Sequence, residues 1–135
     1  MSRRKARELA LQSLFQIDFN DCLLEEDALN AAIEAHEGKC TLEAQTYALD
    51  LVLGVMKNKT DIDTAFAGYS KNWDIARMPL IDRNILRIAV YEMRYASEPI
   101  DPAIVINEAV ELAKLYGTDE SSGFINGILG KLTRE

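Results

Sequence analysis

The sequence predicts an all-α protein with about seven helices. Apolar residues recur at three- and four-residue steps along most of the 135 residues, which is the spacing of one buried helix face. The one β-branched run, AIVI at 103–106, is short and is followed by the helix-like segment NEAVELAK. A composition of 48% hydrophobic and 27% charged residues is ordinary for a globular fold, and the length predicts a single domain over 1–135.

The first four helices follow from this apolar spacing. A second helix is predicted from about 25 to 36 and a third from 42 to about 57. The segment TDID comes next, in which Thr60 and Asp63 have the spacing of a capping box at the start of a fourth helix. The first helix begins in a basic cluster and has a buried stripe formed by Ala6, Leu9, Ala10, Leu14 and Ile17, widened by Leu11 and Phe15.

A polar connection precedes the fifth helix. The segment KNWDIARMP at 71–79 contains the only tryptophan of the chain and ends at Pro79, whose fixed φ suits a first helical turn. A strongly apolar helix is predicted from there to about Ala96.

The last two helices have clear boundary signals. Asp101 followed by Pro102 indicates an N-cap and a first helical residue, and Gly117 indicates the end of that sixth helix. A seventh helix is predicted to begin near Asp119 and to reach Leu132.

Cysteine usage and hydropathy predict a cytoplasmic protein. Cys22 and Cys40 match no metal-ligand spacing, and we expect both to be free, buried thiols in a reducing compartment. The start of the chain lacks the apolar core of a signal peptide. No run of about 18 apolar residues is present, so no membrane span is expected.

Charge is distributed unevenly. The net charge is −7, yet four of the fifteen basic residues lie between positions 3 and 7, and 8–38 contains no Lys or Arg. The overall charge argues against tight, unaided nucleic-acid binding, whereas the basic cluster favours a localised anionic partner. Both hold if the protein binds nucleic acid weakly alone and better beside a basic partner.

Catalytic motifs are scarce, and the sequence predicts neither an enzyme nor a cofactor. His36 is the only histidine and indicates a solvated side chain, and with two scattered cysteines it forms no transition-metal set. The Asp61-x-Asp63 pair lacks the other ligands of a calcium loop. Glycines at the last two helices fit a helix end and close helix packing rather than a phosphate loop; they are Gly117, Gly123, Gly127 and Gly130.

The basic cluster is the strongest candidate for a binding surface. Arg3, Arg4 and Arg7 span about one and a half turns, so their guanidinium groups are expected to fan around a phosphate backbone. Their removal is expected to weaken the binding of such a backbone with little change in thermal midpoint. A solvated terminus and a membrane-surface helix are the alternatives, and the acidic stretch behind the cluster argues against the membrane.

Three segments resemble the NusB family of bacterial transcription antitermination factors. They are RRKARELALQSLFQ at the start, ILRIAVYEM in the fifth helix, and VINEAVELAKLYGTDESSGFINGILGKL at the end. The motifs NEAV at 107–110 and FING at 124–127 are the most specific, and the resemblance is loosest between about 20 and 67. It implies two small helical bundles packed together.

The resemblance also implies a function. Members bind the boxA element of ribosomal RNA leader transcripts together with NusE, which is also a small-subunit ribosomal protein, and help RNA polymerase to pass terminators. The RNA-binding residues carried over from the family are Arg3, Arg4, Lys5 and Arg7 in the first helix, and Ser121, Ser122, Phe124 and Asn126 at the entry to the last.

Several of these positions have a second interpretation. Phe124 has the apolar face on which bases stack, yet an aromatic residue on a helix is also typical of a core. Some relatives have a lysine in place of Gly123, so RNA contact there is expected to be weaker or differently placed. By position in the family, the fifth helix near Asp82, together with Phe15, is the expected NusE contact, although Asp82 beside Arg83 also fits a solvated pair.

Two other classes of protein fit an all-α chain. One is the helical RNA-targeting domain that precedes some rRNA methyltransferases, which continue into a large cofactor-binding domain. The other is a helical protein–protein adapter or dimerisation module without RNA binding, which would show no salt-dependent RNA affinity.

Overall fold

All regular secondary structure in the described part of the chain is helical. The structure, a computed structural model, describes residues 3–36, 38–69 and 77–134. Tyr91–Tyr95 form one π-helical turn, called here the π-turn, and no strand occurs in the described ranges. The predicted all-α class with seven helices is confirmed: α1 (Arg3–Phe19), α2 (Glu25–Ala35), α3 (Leu42–Lys57), α4 (Lys59–Ala67), α5 (Leu80–Val90), α6 (Pro102–Tyr116) and α7 (Ser121–Thr133). The predicted connection at 71–79, including its tryptophan, lies largely outside the described residues.

Two hydrophobic cores give the expected pair of packed bundles. The smaller core joins α1, α2 and α3 and is built from Ala6, Leu9, Leu29, Ala32, Ala44 and Ala48. The larger core takes residues from all seven helices, with Leu51, Phe66, Ile85, Leu86 and Leu129 among its fully buried side chains. Helix α1 contributes to both cores, so its N-terminal turn is fixed against the rest of the molecule.

The ends of α6 agree with the sequence. The Asp101 carboxylate accepts a hydrogen bond from the Ala103 N–H at 2.8 Å, and Pro102 is the first helical residue. Gly117 is the C-cap, and its N–H donates to the Ala113 carbonyl at 2.9 Å. Both boundary predictions are confirmed.

The capping box predicted at Thr60 is wrong. Helix α4 begins one residue earlier, at Lys59, and the Thr60 carbonyl already accepts a hydrogen bond from Thr64 Oγ1 at 2.9 Å. The Asp63 carboxylate instead pairs with Arg87 of α5, whose Nε lies 2.8 Å from Asp63 Oδ1. A tertiary ion pair therefore takes the side chain that the local pattern assigned to a cap.

Two further predictions, the burial of the cysteines and the close packing at three glycines of α7, are wrong. The cysteines are free, as predicted, but Cys22 is exposed and Cys40 is only half-buried. A Cβ on Gly123, Gly127 or Gly130 would meet no atom within 4 Å, so these glycines do not mediate the close helix packing that we expected. No helix in the described ranges is long and apolar enough to cross a membrane.

The π-turn corrects the prediction that α5 runs unbroken to about Ala96. The Ala96 N–H donates to the Tyr91 carbonyl, five residues earlier, at 2.9 Å. This wider turn accompanies the placement of Tyr91 against Gly54 of α3, where its hydroxyl lies 3.2 Å from Asp50 Oδ2. A Cβ on Gly54 would overlap the Tyr91 ring, so close approach requires glycine at this position.

We expect Gly54→Ala to destabilise the protein by about 1–3 kcal/mol, because the added methyl group overpacks the contact with Tyr91. The matched control is Gly127→Ala on α7, where the space around the Cβ is open. That change should stabilise by about 0.5–1 kcal/mol, since alanine loses less backbone entropy in a helix than glycine. Chemical denaturation of both variants measures the two effects, and equal signs would contradict the packing assignment.

Candidate nucleic-acid interface

Arg4 presents a half-exposed guanidinium that is already paired. Its Nε and Nη2 donate to the two carboxylate oxygens of Glu108 on α6, at 3.2 and 2.7 Å. The side chain of Arg4 is 51% exposed and that of Glu108 is 16% exposed. The hydrogen bond with Glu108 raises the pKa of Arg4, and the same bond holds the pKa of Glu108 below its ordinary value.

Arg7 does not join the predicted fan of guanidinium groups. It is only 3% exposed, because its position on α1 faces the π-turn and α6. Its Nε and Nη2 lie 2.9 and 3.0 Å from the oxygens of Glu92, and its Nη1 lies 3.3 Å from Glu108 Oε1. Removal of Arg7 is therefore expected to affect folding, contrary to our expectation from the sequence.

The buried carboxylate of Glu92 has a second donor. The Tyr47 hydroxyl of α3 donates a hydrogen bond to it, and Glu92 is 1% exposed. Burial raises the pKa of Tyr47, and the bond to Glu92 adds to that rise. The guanidinium carbon of Arg3 lies 4.9 Å from the centroid of the Tyr47 ring, within the range of a cation–π interaction.

Lys5 completes the cluster at the surface. Its ammonium donates to the backbone carbonyl of Lys39 at 3.0 Å. Arg3, Arg4 and Lys5 therefore all have exposed or partly exposed side chains that protein groups hold in place, whereas Arg7 is enclosed.

The entry to α7 lines a small pocket with Asp82 at its wall. The pocket has a volume of about 150 Å³ and is lined by Pro79, Asp82, Thr118, Glu120, Ser121 and Phe124. Ser121 is 2% exposed, and its Oγ accepts from the Thr118 N–H at 3.0 Å. Phe124 is partly buried against the larger core, as a core residue would be, and it also lines the pocket, as a base-stacking residue would.

Asp82 is not part of a solvated pair with Arg83. It is 5% exposed, its Oδ1 has no hydrogen-bond partner, and burial raises its pKa while the Ser121 hydroxyl opposes that rise. Arg83 donates instead to the Met78 carbonyl at 2.9 Å. The other predicted partner residue, Phe15, packs edge-on against Phe19 with ring centroids 5.0 Å apart.

The remaining predicted residues of α7 face a different groove. Ser122 and Asn126 line it together with Asn107 of α6, and its volume is about 420 Å³. Gly123 lies between them at the surface, so the groove has exposed amide and hydroxyl groups but no cation.

Sequence reasoning missed the acidic partners of the arginines. Glu92 lies seven residues after Ile85 and so continues the apolar stripe of the predicted fifth helix. An acidic residue at a position that the periodicity predicts to be buried was the available signal. Glu108 belongs to the NEAV motif, but no role was predicted for it from the sequence.

No group of three or more potential metal ligands occurs in the described residues.

A helical fold with surface cations on the first turn of α1 has the basic patch that is typical of nucleic-acid-binding proteins. The NusB family model matches residues 4–134, and the chain belongs to the NusB family.

Relatives and solved structures agree with this membership. The transcription antitermination protein NusB of Bdellovibrio bacteriovorus is 49% identical over 97% of this chain and 94% of its own length. That of Desulforamulus reducens is 44% identical over 98% of this chain and 90% of its own. These coverages leave no room in either relative for the large cofactor domain of an rRNA methyltransferase.

Two solved structures have the same fold. NusB of T. maritima superimposes with a TM-score of 0.88 at 32% identity, covering 100% of this chain and 92% of its own. The antitermination factors NusB and NusE in complex with double-stranded RNA include a chain with a TM-score of 0.82 at 25% identity, covering 98% of this chain and 96% of its own. The resemblance found in the sequence is therefore confirmed.

We expect Arg7→Ala to lower the free energy of unfolding by about 3–5 kcal/mol, because it leaves the buried Glu92 carboxylate without its countercharge. Arg4→Ala is the control on the same helix, and it should change stability little since the Arg4 side chain is half-exposed and Glu108 keeps its contact with Arg7. Urea denaturation followed by circular dichroism measures both. An Arg7→Ala protein as stable as Arg4→Ala would contradict the structural role of the buried pair.

Proposed function

We propose that this protein is a cytoplasmic, non-enzymatic transcription antitermination factor. It binds boxA-like single-stranded RNA of rRNA leader transcripts together with NusE, within an antitermination complex on RNA polymerase. Membership of the NusB family supports the function, and the observation that carries the RNA-binding role is the set of surface cations on the first turns of α1. The chain 1–135 acts as one RNA-binding unit.

Phosphate binding is assigned to the surface cations. Arg3, Arg4 and Lys5 lie within the first turn of α1, and their side chains are exposed or partly exposed. Arginine binds phosphate through paired donors, which gives affinity without reading the base. Arg7 contributes as a positioning residue, because it shares Glu108 with Arg4.

Base contact is assigned to the entry of α7. Phe124 offers part of its ring at the pocket, and stacking on an aromatic residue contributes about 1–3 kcal/mol per base. Ser122 and Asn126 supply hydroxyl and amide groups in the neighbouring groove. Ser121 is 2% exposed, so its part is to position the entry through its bond with the Thr118 N–H. Gly123 brings no charge to this region, so phosphate affinity depends on α1.

The partner surface is assigned to Phe15 and the fifth helix near Asp82. Phe15 is partly exposed and packs edge-on against Phe19, which is 70% exposed, and aromatic residues at the surface are enriched in protein contacts. The related complex of NusB, NusE and RNA supports NusE as that partner. An adapter without RNA binding would use the same aromatic pair, and an RNA titration separates the two functions.

Replacement of Arg3 and Arg4 by alanine should weaken the binding of boxA-like and scrambled single-stranded RNA by the same factor. The salt dependence of log K should flatten by about 0.7 for each phosphate that the variant no longer neutralises. Both residues have surface-exposed side chains, so the thermal midpoint should change little. Fluorescence anisotropy over a salt series measures this, with Lys131→Ala on α7 as a control for removal of one surface cation. Unchanged RNA affinity in the double variant would support the adapter instead.

NusE should raise the RNA affinity of this protein at least about tenfold, or roughly 1.4 kcal/mol. The lone protein has a net charge of −7, and the acidic stretch at 8–38 repels phosphates within about a Debye length of 8–10 Å. A basic ribosomal protein beside the cluster extends the positive surface. Titrations of boxA RNA with each protein and with the pair measure the coupling, which must be reciprocal. Equal affinity of the lone protein and the pair would exclude cooperative capture.

A further inference from the structure

The acids around the basic cluster have unequal roles. Glu92 receives three hydrogen bonds from Arg7 and one from Tyr47, so it neutralises the buried guanidinium by itself. Glu108 adds a second negative charge to the same cluster, with one longer bond to Arg7 and two bonds to Arg4. Burial of Arg7 requires one countercharge, which Glu92 supplies. Glu108 is thus surplus to that requirement.

Glu108 occupies the donors of Arg4 that suit a phosphate. Its two oxygens face Nε and Nη2 in the paired arrangement that guanidinium also forms with phosphate oxygens. A phosphate that approaches Arg4 must either displace the carboxylate from this edge or bind the remaining donors a few ångströms from it. In both cases two anions share one cation.

The partly buried position of Glu108 strengthens the repulsion between its carboxylate and an RNA phosphate at Arg4. Its side chain is 16% exposed, so solvent screens it less than a surface carboxylate. The opposing effect is that Glu108 holds the Arg4 side chain in one place and reduces the entropy lost on binding. This saving involves only the rotamers of one half-exposed side chain, whereas the repulsion acts between full charges, so the repulsion dominates.

We propose that Glu108 is an affinity-setting residue that competes with RNA phosphate for Arg4 and so keeps the RNA affinity of the lone protein low. The inference rests on the proposed RNA-binding function. It predicts that Glu108 weakens the binding of all single-stranded RNA alike, because the competition concerns phosphate rather than base.

The first test compares Glu108→Gln with Glu111→Gln. Glutamine retains the size of Glu108 and one acceptor for Arg4, while it removes the charge. Glu111 is on the same helix and makes its ion pair with Lys114 at 3.5 Å. It acts on Arg4 through its charge but forms no hydrogen bond with it among the described contacts, so its replacement controls for the loss of a nearby negative charge. Anisotropy titrations with boxA-like and scrambled RNA at several salt concentrations provide the affinities.

We expect Glu108→Gln to bind both RNAs about tenfold more tightly, with a salt slope steeper by about 0.7, and Glu111→Gln to gain less than about threefold. In an Arg4→Ala background the gain from Glu108→Gln should fall to that of Glu111→Gln. No excess gain over Glu111→Gln, weaker binding, or a full gain without Arg4 would overturn the proposal. If the wild-type protein shows no salt-dependent RNA binding, the proposed function itself fails.

A second measurement needs no variant and covers the case in which Glu108→Gln is unstable. Arg4 holds the pKa of the Glu108 carboxyl low in the free protein. If phosphate takes Arg4, the carboxylate loses a cation and gains an anionic neighbour, so its pKa must rise in the complex. Carbon-13 NMR titration of the Glu108 carboxyl with and without RNA measures that rise, and an unchanged pKa would overturn the competition.

Discussion

The arrangement of the molecule depends on one buried ion pair, Arg7 with Glu92. It joins α1 to the π-turn, while Tyr47 brings α3 and Glu108 brings α6 to the same pair. A buried charge is costly unless it is paired and hydrogen-bonded, so these elements must keep their relative positions. The pair contributes little net stability of its own by this argument, but its geometry restricts how the helices can pack.

This constraint explains how a helix N-terminus tolerates a cluster of cations. The helix dipole opposes positive charge there, and the first turn of α1 contains no acid of its own. The compensating carboxylates come from other elements, Glu92 and Glu108, and the electron-rich face of Tyr47 lies beneath Arg3. RNA phosphates are therefore not needed to explain the cluster in the free protein. In the proposed function, RNA phosphates compete for cations whose charge the fold has already balanced.

The sequence predicted the helices well because each one has its own local signals, as Asp101 shows at the start of α6. It failed where a tertiary partner overrides such a signal. Asp63 has the spacing of a cap but pairs with Arg87, and Arg7 belongs to a basic cluster but lies on the inner side of α1. The π-turn has no local signal, since it depends on the fit of Tyr91 against α3. Pairing of buried charges is decided between distant segments, and apolar periodicity cannot report it.

The division of the cluster into an enclosed arginine and surface cations has a consequence for regulation. A protein that exposed all four charges freely would bind any RNA by counterion release, with little need for a partner. Here Glu92 removes Arg7 from that surface, and Glu108 partly neutralises Arg4. In the proposed function, affinity comes from several weak contributions together: phosphates on α1, bases at the entry to α7, and the charge of a basic partner. If each contribution is weak, RNA without the appropriate partner or bases is expected to bind this protein less tightly.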